Sequence, residues 1–245
     1  GLLIPSDMHG ALDVMQSNFV PSAVRLAGRR SYGLLVWTLP EEEFDVRRMI
    51  QEGMVEGLLL MEVKLEDERI AKLRTSSYPF ALIGHCADNA GISYVDFDFA
   101  AALRLAVEHL VDLGHTSIAF VNFAEHALAA GYGPAVRSTA GFQSAVAEFG
   151  ITGITVVGSS EIEEATALVR CLLVEQPQVT GLIVPDLARL AAVLQAAYQL
   201  DLRIPDDFSV VSILDQEAAA RAAPPLTNIE FPSEEMGKIG AELLA

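Results

Sequence analysis

The 245 residues are enough for one large or two medium domains, and with 51% of them apolar a substantial core is available. Net charge is −17, from 33 acidic against 16 basic side chains, and so acidic a surface repels phosphate backbones and excludes nucleic-acid binding by these residues alone. No apolar run approaches the ~20 residues a membrane helix needs, and no basic stretch followed by an apolar one marks a signal peptide.

In chain order, apolar runs at 1–5, 33–38, 57–61, 80–84 and 92–97 predict strands, with helical patterns between them at about 11–30, 41–53 and 66–75. The stretch from Ser93 to Val121 then reads strand, helix, glycine stop, strand. Tyr94 to Phe97 close a buried strand, and Leu103, Val107, Leu110 and Val111 recur at helical spacing. Gly114 sits where a helix end needs positive φ, and Ile118 to Val121 form the next apolar run. A second series follows, with strands near 117–122, 154–157, 181–185 and 208–214 and helices near 138–149, 161–175 and 187–200. Ser160-Glu-Ile-Glu163 has capping-box form, and Pro79, Pro177, Pro205 and Pro232 punctuate between elements. A last helix at about 233–244 carries Met236, Ile239, Gly240 and Leu243 on one stripe. Strict β/α alternation of this length predicts a doubly wound parallel α/β architecture. Two series predict two similar lobes of about five strands, with the break near Asp96–Asp98 and no Gly/Ser-rich linker there.

Catalytic motifs are missing: no G-x-S-x-G elbow, no phosphate-binding G-x-x-x-x-G-K-S/T loop, no G-x-G-x-x-G after the first strand, no H-E-x-x-H. His109 and His115, six apart, do not share a helix face, so a metal pair is disfavoured against surface and cap roles. Asp96 and Asp98 alternate along a strand, and a ligand site or a solvated pair is favoured over an acid/base dyad. Cys86 and Cys171 have no short-spaced partner, which rules out a disulfide framework or zinc spacing and fits a reducing cytoplasm. No metal and no cofactor is expected.

Ligands of open α/β sheets gather at the carboxyl ends of strands. That rule nominates Asp7 and His9 after the first strand, His85 after the fourth and Phe97–Asp98 after the fifth. In the second lobe it nominates His126, Gly158-Ser159-Ser160, Pro185-Asp186 and Leu214-Asp215-Gln216. An aromatic face with converging polar groups suits a sugar.

The wording of residues 93–121, with Glu108-His-Leu-Val-Asp-Leu-Gly-His115 at its centre, closely resembles the effector-binding domain of lactose-repressor-type bacterial transcription regulators. So do Gly1-Leu-Leu-Ile-Pro5, Val55 to Leu60, Arg137-Ser-Thr-Ala-Gly-Phe142, Leu202 to Val211 and Pro224 to Ile229, in order. The resemblance implies a type I periplasmic-binding-protein-like fold: two similar doubly wound parallel-sheet lobes with a ligand cleft between them. It assigns 1–97 plus 231–245 to the N-terminal lobe and 98–230 to the C-terminal lobe. It also implies a helix-turn-helix headpiece of roughly sixty residues before Gly1 and a further strand after the last helix. Phe97 falls where the family packs an apolar residue on the effector ring, and Asp186 at the polar first residue of its Asn-Asp pair. Three positions depart from the family pattern. Ser160 stands where an aromatic often stacks on sugar, Leu214-Asp215 where the family has Asp-Asp, and Ser138 where it has its effector-binding arginine, with Arg137 one residue earlier. These departures point away from an ordinary hexose.

The expected function is a small-molecule effector-binding and dimerisation domain, for a sugar or related polyol, of a cytoplasmic regulator in which lobe closure sets operator affinity. A transporter's solute-binding protein is the alternative, and no enzyme is expected. Asp7, His9 and Phe97 are expected to face Arg137, Asp186 and Asp215 across one pocket. Operator DNA is reached only through the headpiece. A homodimer is expected, with Leu12, Met15, Phe19, Leu26, Ile70 and Leu73 supplying its apolar surface.

Overall fold

The computed structural model describes residues 1–5, 14–38, 40 and 43–244. The chain forms two compact units. The first comprises Gly1–Phe97, Ala130–Gly133 and Pro232–Ala245, and the second comprises Asp98–Ala129 and Pro134–Phe231. Four residues that the sequence reading gave to the second lobe belong to the first. Tyr132 bridges Lys64, and Leu65 and Gly133 donate to the carbonyls of Gly131 and Val63. Phe231 stays in the second unit, its ring 6.0 Å from that of Phe99.

In chain order the first unit runs β1 (Leu2–Leu3), α1 (Val14–Arg29), β2 (Val36–Trp37), α2 (Val46–Gln51), β3 (Leu58–Leu60), α3 (Glu68–Arg74), β4 (Phe80–Ile83) and β5 (Ser93–Val95). The second continues with α4 (Phe99–Asp112), β6 (Ser117–Ala124), α5 (Glu125–Ala129), α6 (Gly133–Phe149), β7 (Thr152–Gly158), α7 (Ile162–Glu175) and β8 (Gly181–Val184). It ends with α8 (Leu187–Gln199), β9 (Ser209–Leu214), α9 (Gln216–Arg221) and β10 (Thr227–Glu230), after which α10 (Ser233–Leu244) belongs to the first unit. The sheets are ordered β2-β1-β3-β4-β5 and β10-β9-β8-β6-β7, and every pairing is parallel. The doubly wound α/β expectation is borne out, and the second sheet repeats the plan of the first. A parallel sheet carries helices on both faces, so its central strands need apolar side chains on both. Leu58-Leu-Leu60 and Gly181-Leu-Ile-Val184 are accordingly buried at every residue.

Local signals place the helices. Asp45, Asp67, Asp98, Asp186 and Asp215 each precede a helix and accept a backbone N–H of its first turn. Leu113 caps α4 and Gly114 follows at φ +91°, the left-handed residue that lets the chain leave for β6. The capping box at Ser160 does not form. Glu161 occupies the N-cap of α7 without a side-chain cap, and Ser159 Oγ takes its N–H while donating to Glu164.

Each unit is closed by a helix that follows the other unit's last strand, and glycine makes both crossings possible. On α10, a Cβ at Gly237 would lie 2.6 Å from the Phe19 carbonyl of α1. On α6, a Cβ at Gly141 would lie 2.6 Å from the Ala100 Cα of α4. Phe19, Leu26, Ile70 and Leu73 are buried within the first unit and offer no outer surface, which corrects the assignment of the dimer's apolar face to them. Leu12 and the Met15 side chain lie outside the described residues.

Candidate functional site

In a sheet of this order, the loops leaving the two strands that flank the reversal of direction diverge and leave a crevice at the carboxyl edge. The flanking strands are β1 and β3 in the first unit and β6 and β8 in the second.

Residues 6–13 leave β1, so Asp7 and His9 lie outside the described residues. At the exit of β3, Asp67 and Arg69 form a buried ion pair, their side chains 0% and 3% exposed. Arg69 spends its whole fork: Nε and Nη2 on the two Asp67 oxygens at 3.0 and 2.7 Å, Nη1 on the Met61 carbonyl, and Nη2 again on that of Glu62. Burial alone would push the Asp67 carboxyl up. The Arg69 hydrogen bonds and charge, with the backbone N–H groups of Lys64 and Arg69, hold it below the usual carboxylate range. This pair latches the loop between β3 and α3.

After β4, His85 Nδ1 lies 2.5 Å from Asp96 Oδ2, and the His85 ring lies 5.4 Å from that of Tyr94. Asp96 also accepts from the Phe97 N–H, while Asp98 caps α4, so the two acids form no dyad. Phe97 is half-buried beside them. Of the nominated residues in this unit, the structure therefore brings His85 and Phe97 to one rim around Asp96.

In the second unit, β6 is irregular at its exit, its register against β7 shifting between Asn122 and Ala124. Asn122 is fully buried, donating to Thr139 of α6 at 2.6 Å and accepting the Phe123 N–H. Beyond it, His126 is exposed, and Ser160 Oγ lies 3.5 Å from its Nδ1, joining the ends of β6 and β7. Arg137 is half-buried on α6, whereas Ser138 is fully buried.

Asp186 and Asp215 are both helix caps. Asp186 is 1% exposed, accepts the Arg189 N–H at 2.8 Å, and pairs with Arg189 Nη1 at 3.1 Å. It is spent inside the protein and does not present a carboxylate to a ligand. Asp215 is half-buried and caps α9 through the Ala218 N–H. Leu214 is fully buried in the core cluster, facing no rim. Asn228, on the neighbouring β10, accepts from Ser212 Oγ and the Leu214 N–H and donates to the Leu214 carbonyl, which fixes the strand end that presents Asp215.

The sequence reading missed Arg189 and Asn228, and it named Gly158 only as part of a strand end. Arg189 had a visible signal, an arginine three residues after an aspartate at a strand end. The role of Gly158 depends on contacts that no spacing reveals. Among the described residues no group of three or more His, Cys, Asp or Glu is placed to hold a metal ion. No described helix is long and apolar enough to cross a membrane. A cavity of about 590 Å³ opens in the first unit, lined by Leu26, Leu35, Met54, Val55 and Leu244 among others. It borders the residues that lead into β1, β2 and β3, at the amino edge of the sheet.

Both sheets thus gather polar groups at their carboxyl edges. The periplasmic binding protein-like domain matches residues 107–245, more than half of the chain. The chain belongs to that family. Its curated relatives narrow the branch to lactose-repressor-type regulators, as the wording of residues 93–121 implied. The ribose operon repressor of Halalkalibacterium halodurans is 27% identical over 251 residues, covering all of this chain and 71% of that protein. The HTH-type transcriptional repressor PurR of Aliivibrio salmonicida is 28% identical over 207 residues, covering 80% of this chain and 59% of that one. Among solved structures, a LacI family transcriptional regulator from Bifidobacterium animalis subsp. lactis superposes with a TM-score of 0.86 at 24% identity, covering the whole chain and 87% of its own. That likeness shows the periplasmic-binding-protein-like fold.

Proposed function

We propose that this chain is the effector-binding and dimerisation part of a DNA-binding transcription regulator. It takes a sugar or related polyol and couples that occupancy to operator affinity through a separate DNA-binding headpiece. The observation that carries the reading is alignment along the full length of the chain with a ribose operon repressor. The matching strand orders of the two sheets, with polar groups at both carboxyl edges, support it. The transport reading is not favoured, because these relatives are named as regulators. We assign effector contact to Asp7, His9, His85, Phe97, His126, Arg137, Ser160 and Asp215, with Asp186 acting through Arg189. The protein works in the cytoplasm and as a homodimer. Its dimer face in the first unit draws on the apolar side chains that stay exposed, Val24 at 46% and Tyr32 at 50%.

The test is a thermal-shift screen of pentoses, hexoses, disaccharides, polyols and purines. A ligand selective for the folded state stabilises by RT ln(1 + [L]/Kd), about 2.7 kcal/mol at a hundredfold excess over Kd. One compound class raising Tm, with Phe97→Ala binding about tenfold more weakly through lost ring contact, supports the assignment. A screen in which nothing raises Tm contradicts it.

A further inference from the structure

The two sheets have four edge strands, and three of them are blunted. β2 and β5 are only two and three residues long. β10 has four residues and ends on the charged Glu230. β7, at the other edge of the second sheet, has seven, Thr152-Gly-Ile-Thr-Val-Val-Gly158, with no charged residue and no proline. An open edge offers a row of unpaired backbone groups to other chains, and proteins ordinarily keep such edges short, charged or covered.

Thr152 donates to the Thr116 carbonyl, which turns its backbone groups toward β6. In a parallel ladder every second residue does the same. Thr152, Ile154 and Val156 therefore face β6, while Gly153, Thr155 and Val157 turn their N–H and C=O groups outward. No hydrogen bond among the described residues engages those outward groups. The edge is accessible as well as unpaired. Thr152, Gly153 and Val157 are exposed, Val157 at 38%, and Ile154, Thr155 and Val156 are half-buried. Ile154 and Val156 pack against the core cluster with part of their surface left in solvent.

We propose that β7 is a self-association surface, on which the β7 strand of a second copy pairs antiparallel across a twofold axis through Thr155. That register sets Thr155 against Thr155, and Gly153 of each copy against Val157 of the other. These are the hydrogen-bonded pairs, and they use every outward N–H and C=O group of both strands. Between them Ile154 faces Val156 of the second copy, which buries their remaining apolar surface. A twofold contact requires one patch that is complementary to itself, and outward residues spaced evenly about Thr155 meet that condition. Charge favours the same occupant. Two copies of a chain carrying −17 repel each other over most of their surfaces, and β7 is an uncharged strip along which they can approach. The contact is small, so association is weak, and it strengthens with salt, which screens the repulsion. It lies on the second unit and adds to the dimer face proposed on the first without depending on it.

The experiment is sedimentation velocity on the whole chain from about 10 to about 500 µM, the range that so small an interface calls for. It is run at low and high salt, with hydrogen exchange measured at both ends of the concentration range. Wild type, Thr155→Lys and Val157→Lys are compared. Thr155→Lys sets two cations face to face on the axis. It also makes the chain less negative, so a general charge effect would favour association and could not explain its loss. The expected result is a wild-type mass that rises toward twice that of Thr155→Lys at the top concentration, and rises further at high salt. Exchange across residues 153–157 of wild type slows with concentration. Val157→Lys, at an exposed position, abolishes the rise in the same way, and it carries the test if Thr155→Lys does not fold by circular dichroism. Variants that associate as wild type does, with no added protection at residues 153–157, place the contact elsewhere and overturn the proposal. A wild-type mass that exceeds that of the variants at no concentration overturns it as well.

Discussion

The two units share a plan and differ in how they complete it. Each has five parallel strands in the same order, with an aspartate capping the helix that follows the central strand and a buried arginine in that helix's first turn. In the first unit the arginine satisfies all its donors within the loop it closes. In the second, one arm is anchored and the buried Nε is left over. The same local solution therefore satisfies every donor of the arginine in one lobe and leaves one buried donor without a partner in the other. A buried ion pair is by itself weak evidence about function; which of its hydrogen bonds are made decides what it is for.

Arg69→Met breaks the comparison most severely. It leaves Asp67 as a buried charge without its cation and should cost about 3–5 kcal/mol in urea unfolding. Arg189→Met removes fewer hydrogen bonds and should cost at least about 1 kcal/mol less. Equal losses would mean that the two pairs are equivalent after all.

The helix crossings should behave alike in both units. Gly237→Ala and Gly141→Ala each push a methyl to within 2.6 Å of backbone and should cost about 1–3 kcal/mol through overpacking. If either is neutral, its helix pair has room to move apart and the closing-helix symmetry is only formal.

Acid should act on the latch. Because the folded Asp67 carboxyl titrates below its unfolded value, its contribution is present above about pH 4 and is lost as pH falls through the folded value. The stability gap between wild type and Asp67→Asn should therefore narrow in acid. A gap that stays constant from pH 7 to pH 3 refutes the assignment.

The smallest effect is expected at His115, which ties the amino ends of β6, β8 and β9 by contacts of 2.7 Å to Thr180 and 3.1 Å to Ser209. Burial, and then the nearby His109, hold its pKa down. Its contribution is therefore complete above about pH 6.5 and fades as pH drops through the folded value. His115→Gln should flatten the stability profile between pH 7 and 5.

Much of the fold was legible because buried parallel strands are near-continuous apolar runs, such as Leu58-Leu-Leu60, and because α4 ends on Gly114. The short helices α5 and α9 were not read: Glu125-His-Ala-Leu-Ala129 and Gln216-Glu-Ala-Ala-Ala-Arg221 are too brief to show a period. Strand β10, Thr-Asn-Ile-Glu, carries one apolar residue in four. Helix α6 begins at Gly133, ahead of the amphipathic stretch from which its start was placed at 138. At the rims, sequence position found strand ends but not their use. Asp186 looks like a ligand carboxylate until its cap and its arginine are seen. Arg189 looks like a surface residue on an amphipathic helix until burial is known.

The most direct measurement is backbone hydrogen exchange with and without the compound that gives the largest thermal shift. The effector-binding account predicts added protection at the carboxyl ends of the strands, around residues 61–67, 84–86, 96–98, 122–126, 158–160 and 185–189. It predicts no change around residues 33–35 and 54–57, beside the amino-edge cavity of the first unit. Protection confined to that cavity, with the carboxyl ends unchanged, would contradict it.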